Sequence, residues 1–307
     1  LKAAEETPAG ALHIARALHD AGLPPGVCNL VFGAPAEISD HLIRADSVRL
    51  VAFTGSTAVG RHLTTLASEH MTPVLMELGG HAPVIVCEDT DVEAAAISGA
   101  VRKMRNAGQV CTSPTRFFVH ESIFDEYTDT FVRRAARTVV GNGMDAGVEM
   151  GPLANERRPA ALAELVEDAV AQGAELRTGG KKLGKKGYFF EPTVLANVPD
   201  SAQVMQVEPF GPLAVINPVA SLDEGIAQAN SVPYGLAAYG YTNRADYVDQ
   251  MIEGIEAGNV SINTLEASLP ETPFGGVKSS GYGREGGTEG LHNYMITKNI
   301  SHSLKIV

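Results

Sequence analysis

The residues of this 307-residue chain with the most pointed chemistry lie in one stretch, Arg105-Asn106-Ala107-Gly108-Gln109-Val110-Cys111-Thr112. Cys111 is one of only three cysteines. A helical pattern runs from Ala94 to Met104 before it, and a β-like pattern from Arg116 to His120 follows it. A cysteine at a helix-to-strand break keeps its backbone N–H free to point at a ligand. Gly108, three residues earlier, lets the chain approach that ligand closely. A thiol so placed is suited to nucleophilic attack.

Two carboxylates stand where they could assist. Glu77 interrupts the apolar run Val74-Leu75-Met76-Glu77-Leu78-Gly79-Gly80. It is either a solvated edge residue or an acid whose pKa is raised by burial and which is suited to base work. Glu208-Pro209-Phe210-Gly211-Pro212 puts a carboxylate and an aromatic ring in a rigid turn, and a plain turn is the other reading. Thr54-Gly55-Ser56-Thr57-Ala58-Val59-Gly60 joins a strand to a helix. A Gly-rich turn there faces an anion with free N–H groups and the helix dipole. Thr57 replaces the middle glycine of the dinucleotide fingerprint, so a tight strand-to-helix turn stays open too.

Composition excludes several classes. The net charge is 24 − 36 = −12, with no Lys/Arg stripe, which argues against nucleic acid as a partner. No apolar run reaches the length of a membrane span and no signal peptide is evident, so no membrane partner is expected. Cys28, Cys87 and Cys111 show no paired spacing, which points to a reducing, cytoplasmic compartment. Nine histidines are scattered without His-x-His or His-Glu-x-x-His spacing, so no metal site is expected.

The elements that must position these groups alternate. Thr7 and Pro8 open a helix with a stripe at Leu12, Ala15, Leu18 and His19. Val27 to Phe32 reads as a strand, Ile38 to Ile43 as a helix, Val48 to Phe53 as a strand and Arg61 to Ala67 as a helix. Ala82 to Cys87 is a buried-type strand, and Asp91 caps the helix ending at Met104. Downstream come helices over Ile123–Val139, Arg157–Gln172, Leu222–Ala229 and Tyr247–Glu256. Strands are expected over Ala174–Arg177, Phe189–Leu195, Leu213–Ile216, Ala237–Tyr241 and Gly258–Asn263. This rhythm implies a parallel sheet with crossover helices. The Lys-rich loop Gly179–Gly187 lacks the Gly-Lys-Ser/Thr ending of a P-loop and reads as a solvated hairpin. The tail Tyr294 to Val307 alternates as a strand, and a terminal strand needs a partner edge, which suggests a homodimer or homotetramer.

Phe53-Thr-Gly-Ser-Thr, Met76-Glu-Leu-Gly-Gly, Gly108-Gln-Val-Cys-Thr, Glu208-Pro-Phe-Gly-Pro and Pro273-Phe-Gly-Gly-Val-Lys-Ser-Ser-Gly-Tyr-Gly-Arg-Glu occur in this order along the chain. Together they resemble the aldehyde dehydrogenase superfamily, and within it the NAD-dependent succinate-semialdehyde dehydrogenases. The resemblance implies an α/β fold. Residues 1–79 would form part of a Rossmann-like cofactor domain, 80–281 an α/β catalytic domain, and 282–307 a C-terminal segment with an oligomerisation strand. It implies that Cys111 is the nucleophile, with its backbone N–H as half of an oxyanion hole, and Glu77 the general base. Glu77 would also separate the chain from CoA-acylating relatives. For the cofactor it implies Lys2 and Glu5 at the adenosine ribose, and Gly33, Gly55, Ser56 and Val59 around the adenine and pyrophosphate. Leu78 would lie by the nicotinamide, Glu208 at its ribose and Phe210 nearby. A carboxylate at Glu5 favours NAD over NADP.

Arg105 matches an arginine that grips the distal carboxylate of succinate semialdehyde in that branch, and Ser268 is a second contact. A surface arginine closing a helix is the alternative for Arg105. A broad-specificity aldehyde dehydrogenase and a truncated, non-catalytic oligomerising subunit are the alternatives for the chain. The chain opens at Leu1 as if in mid-fold. In the family an asparagine, the second oxyanion donor, and the first strands of the cofactor domain lie further upstream. The 307-residue polypeptide alone is therefore expected to be inactive or nearly so.

Overall fold

The computed structural model describes residues 1–304. The chain divides into two compact units, residues 1–52 with 58–74, and residues 53–57 with 75–307.

The first unit holds α1 (Pro8–Asp20), α2 (Pro35–Ile43), the start of β1 (Val51–Thr54) and most of α3 (Thr57–Ser68). Proline opens both α1 and α2, where its missing N–H costs nothing. Thr7 precedes α1 but makes no side-chain cap. The strand expected over Val27–Phe32 does not form. Only Val31 pairs, in a parallel bridge with Lys2. Val27 and Phe32 are exposed, so this apolar run lacks the buried face that would stabilise a strand.

The second unit opens with β2 (Val74–Glu77), β3 (Pro83–Val86), α4 (Val92–Met104), β4 (Arg116–His120), α5 (Phe124–Ala136), α6 (Arg157–Ala171) and β5 (Glu175–Thr178). It continues with β6 (Thr193–Ala196), α7 (Gln203–Gln206), β7 (Leu213–Val219), α8 (Leu222–Asn230), β8 (Tyr234–Gly235) and β9 (Ala237–Tyr241). Then come α9 (Ala245–Gly254), β10 (Asn259–Ile262), β11 (Val277–Lys278), β12 (Gly281–Tyr282) and α10 (Glu289–His292). Seven strands form one sheet in the order β10-β9-β3-β4-β7-β6-β5. Its neighbours pair in parallel except β5, which runs antiparallel to β6 at the edge. This is the α/β architecture the element rhythm implies.

The central strands are buried throughout, as a parallel sheet covered on both faces requires. Successive residues of β3 serve opposite faces: Val84 and Val86 enter the larger core, Ile85 and Cys87 the smaller. Burial drives the Cys87 thiol up to about 12, which makes it inert at neutral pH. Arg116 is fully buried without a carboxylate. Its guanidinium donates to the carbonyls of His81, Gln228 and Ala229 at 3.1, 2.9 and 3.1 Å. Two of these belong to the last turn of α8, the negative end of its dipole.

The tail differs from expectation. No strand forms over residues 294–304, and the last three residues of the expected strand lie outside the described ones. Among the described residues no helix is long and apolar enough to cross a membrane, and no His/Cys/Asp/Glu group is arranged to hold a metal.

Candidate active site

Three loops meet at the amino ends of three adjacent strands. Leu78–Ala82 enters β3, Cys111–Thr115 enters β4, and Glu208–Pro212 enters β7. Ligands of open α/β sheets ordinarily sit at the carboxyl ends; here the reactive types collect at the opposite edge.

The Cys111 loop begins with a helix that is forced to stop. α4 starts where the Asp91 carboxylate accepts from Ala94 N at 3.0 Å. It ends at Met104, after which Asn106, Ala107 and Gly108 all adopt positive φ (51°, 53° and 68°). Asn tolerates that region and Gly requires no compensation for it; Ala107 pays strain. A Cβ on Gly108 would strike the Gly211 carbonyl, so only glycine fits. Gln109 ties the turn down, donating to Asn106 O at 3.1 Å and accepting from Ala154 N at 2.8 Å. Cys111 then stands half-buried. Burial raises its pKa most, the Glu208 and Glu77 carboxylates raise it further, and its own N–H and that of Thr112 work against them.

Glu77 ends β2. It is 4% exposed, and neither carboxylate oxygen has a hydrogen-bond partner. Burial, then Glu285, push its pKa up to about 7, opposed by Arg284. Of the two readings open from sequence, the structure has the buried acid. The Gly-rich stretch from Pro273 wraps around it. Gly281 pairs with Glu77, Leu78 N donates to Ser280 O at 3.0 Å, and Ser280 Oγ donates to Gly79 O at 2.7 Å. A Cβ on Gly275 would come within 2.8 Å of Glu77 Oε1, so glycine there leaves the carboxylate its space.

Glu208 leans on the same loop. Gly80 N donates to its Oε1 at 3.3 Å, and a Cβ on Gly79 would collide with its Oε2. Burial raises Glu208 to about 7; the Gly80 N–H, Lys103 and Arg158 oppose the rise. Gly80 in turn packs against Cys111, whose carbonyl would lie 2.8 Å from a Cβ there. Phe210 is held at φ 40°, an uncommon backbone for an aromatic, between Pro209, whose carbonyl accepts from Arg158, and Gly211. Its ring is half-exposed. Leu78 is buried beside them.

The other expected residues are placed as follows. Gly55 N is engaged by Glu77 O at 3.0 Å, and Ser56 follows it at the start of α3. In the first unit Lys2 and Glu5 pair at 3.2 Å, Gly33 adopts φ 144°, and Val59 lies exposed on α3. Arg105 is exposed, its side chain makes no hydrogen bond or ion pair among the described residues, and it lines a cavity of about 700 Å³ with Arg102, Arg134 and Glu266. Ser268 is exposed and does not line it.

Residues 1–300 match the aldehyde dehydrogenase family. The chain belongs to that family. It is 49% identical over 298 residues to 4-(hydroxymethyl)benzenesulfonate dehydrogenase of Comamonas testosteroni, covering 97% of this chain and 62% of that protein. It is 42% identical over 304 residues to a probable NADP(+) succinate-semialdehyde dehydrogenase of Sinorhizobium fredii, covering 98% and 61%. The crystal structure of succinate-semialdehyde dehydrogenase from Burkholderia pseudomallei superposes with a TM-score of 0.93 at 42% identity, covering 95% and 61%. The chain thus spans about three fifths of the length of these relatives.

Three groups of this aldehyde dehydrogenase chain escaped the sequence reading. Glu285 and Arg284 tune Glu77, and their signal lay in the terminal Gly-Arg-Glu of the last motif. Arg102 pairs with Glu266 at 3.3 Å on the rim of the Arg105 cavity, a contact 164 residues apart that no local pattern announces. Lys103 is fully buried; a lysine on the Ala96–Ala100–Lys103–Ala107 stripe was the clue.

Proposed function

We propose that the protein oxidises an aldehyde to its acid through a covalent intermediate on Cys111, with a nicotinamide nucleotide accepting hydride. One observation carries this reading: a thiol and a carboxylate with a free oxygen sit on loops at the amino ends of adjacent strands, and an unpartnered buried carboxylate ends β2 directly before the neighbouring loop into β3. The Cys111 thiolate adds to the aldehyde carbon, and its backbone N–H faces the oxygen that becomes negative. Loss of hydride from the thiohemiacetal leaves a thioester on Cys111. Glu77, ionised above about 7, takes a proton from water, which attacks the thioester and frees the acid and the thiol.

The residues present fit a nicotinamide nucleotide. Glu208 spends Oε1 on Gly80 N and keeps Oε2 beside a residue with no side chain, which leaves an acceptor for a ribose hydroxyl. The bound nucleotide supplies the hydride acceptor. Glu5, in the first unit, accepts from ribose hydroxyls and repels a 2′-phosphate, which supports NAD over NADP. Lys2, its partner, is the residue a 2′-phosphate would recruit, so Glu5→Gln should increase use of NADP relative to NAD.

For the substrate, Arg105 supports an aldehyde with a distal anion, succinate semialdehyde being the first candidate. Its guanidinium makes no ion pair among the described residues and stands six positions before Cys111, although Cys111 does not line the cavity that Arg105 lines. The relative that acts on an aromatic sulfonate supports the same chemistry with a longer spacer, or a broader range of aldehydes. Arg105→Leu in the whole protein should raise KM for succinate semialdehyde by about 10- to 100-fold, the loss of a charge-assisted contact, and barely change it for a neutral aldehyde of similar size. Equal effects on the two would remove the anion from the reading.

A further inference from the structure

Lys103 is buried behind the nucleophile and has no part in the steps above. α4 turns it inward, and its ammonium donates to Ser113 Oγ at 3.3 Å and Thr115 Oγ1 at 3.1 Å. Both hydroxyls belong to the segment joining Cys111 to β4. Thr115 Oγ1 also donates to Ser113 O at 3.1 Å, and Tyr239 Oη donates to Thr112 O at 2.7 Å. Every residue from Thr112 to Thr115 is buried. Among the described residues no carboxylate lies within ion-pair distance of Lys103.

Packing does not explain a cation here. Burying an ammonium costs several kcal/mol, and a methionine would fill the same space without that cost. The penalty is visible in Lys103 itself, which burial pulls down to about 7. The charge that opposes this is Glu208, and His81 is the other titratable group that feels Lys103. Glu208 is also the charge that most disfavours the Cys111 thiolate.

We propose that Lys103 is a positioning residue for Cys111: its amino group clamps the Ser113 and Thr115 hydroxyls and so fixes the turn that presents the thiol. Its importance to turnover rests on the reading of Cys111 as nucleophile. The clamp itself does not.

The test is the rate of Cys111 alkylation by iodoacetamide against pH, followed by peptide mass spectrometry so that Cys28 and Cys87 are scored separately. In folded Lys103→Met the limiting alkylation rate on the high-pH plateau should fall about tenfold, because the turn that presents the thiol is no longer tied. Lys103→Gln keeps a donor to the hydroxyls without the charge. It should lose less of the limiting rate and unfold less readily than Lys103→Met, and it carries the test if Lys103→Met does not fold. A folded variant with the wild-type alkylation profile overturns the proposal. Because alkylation needs neither aldehyde nor cofactor, that result would leave the proposed reaction standing. Failure of Cys111→Ala to abolish aldehyde oxidation would sink the reaction and leave the clamp untouched.

Discussion

At the scale of single residues, Glu77 sets the pH behaviour. Its value is about 7 in the fold against 4.5 for an ordinary glutamate, because burial disfavours the charged form and Glu285 repels it. A folded value above the unfolded one means that folding favours the protonated acid. That contribution is fully present below about 4.5 and is lost as pH rises through about 7. Glu77→Gln should therefore stabilise the chain by on the order of 2 kcal/mol at pH 8.5 and by little at pH 5, read as the difference between two denaturation midpoints. A pH-independent difference would contradict the buried, unpartnered carboxylate. With Glu77 as the proposed base, turnover should run the other way and rise with pH through about 7. Cys111, Glu77 and Glu208 were legible in the sequence because each sits in a short motif whose chemistry is local. Whether Glu77 was an edge residue or a buried acid was not legible, because its burial depends on Gly275 and Gly281, about two hundred positions away. Lys103 stayed hidden for the same reason: its partners are near in sequence, but its burial is a tertiary fact.

At the scale of elements, the site depends on glycines that let loops touch. Gly79 and Gly80 allow Glu208 and the Cys111 carbonyl to close on the loop before β3. Gly79→Ala should push the Glu208 carboxylate aside. The expected result is a KM for NAD raised about tenfold or more, with Cys111 still reactive and its alkylation midpoint moved down as the Glu208 charge leaves it, since Gly80 and not Gly79 meets the cysteine loop. Loss of thiol reactivity with an unaltered KM for NAD would reverse this assignment. The helix-to-strand break was readable at Gly108, and its position after Met104 was found as expected. What could not be read is that Ala107 joins Asn106 and Gly108 in the left-handed region, because an alanine carries no sign of it. The strand expected over Val27–Phe32 failed for want of a buried face, and alternation in the tail likewise gave no strand over 294–304. Alternation records a face that could be buried and says nothing about what buries it.

At the scale of the whole molecule, the chain leaves an apolar tail uncovered. Tyr294, Met295, Ile296, Ile300 and Leu304 are between 62% and 92% exposed. Isolated exposure is ordinary, but five large apolar residues in eleven positions call for a cover. A sheet edge in a second copy of the protein would supply it. Ending the chain after Asn293 should lower the mass measured by light scattering to that of a smaller assembly, and an unchanged mass would assign the tail another role. The central claim, that aldehyde carbon passes through a thioester on Cys111 released by Glu77, has a direct test. The whole protein carrying Glu77→Gln is mixed with NAD and succinate semialdehyde, and NADH and intact mass are followed together. The expected outcome is a burst of about one NADH per chain, then near arrest, with one acyl group on Cys111. Steady turnover at the wild-type rate, or an acyl group on any other residue, would contradict it.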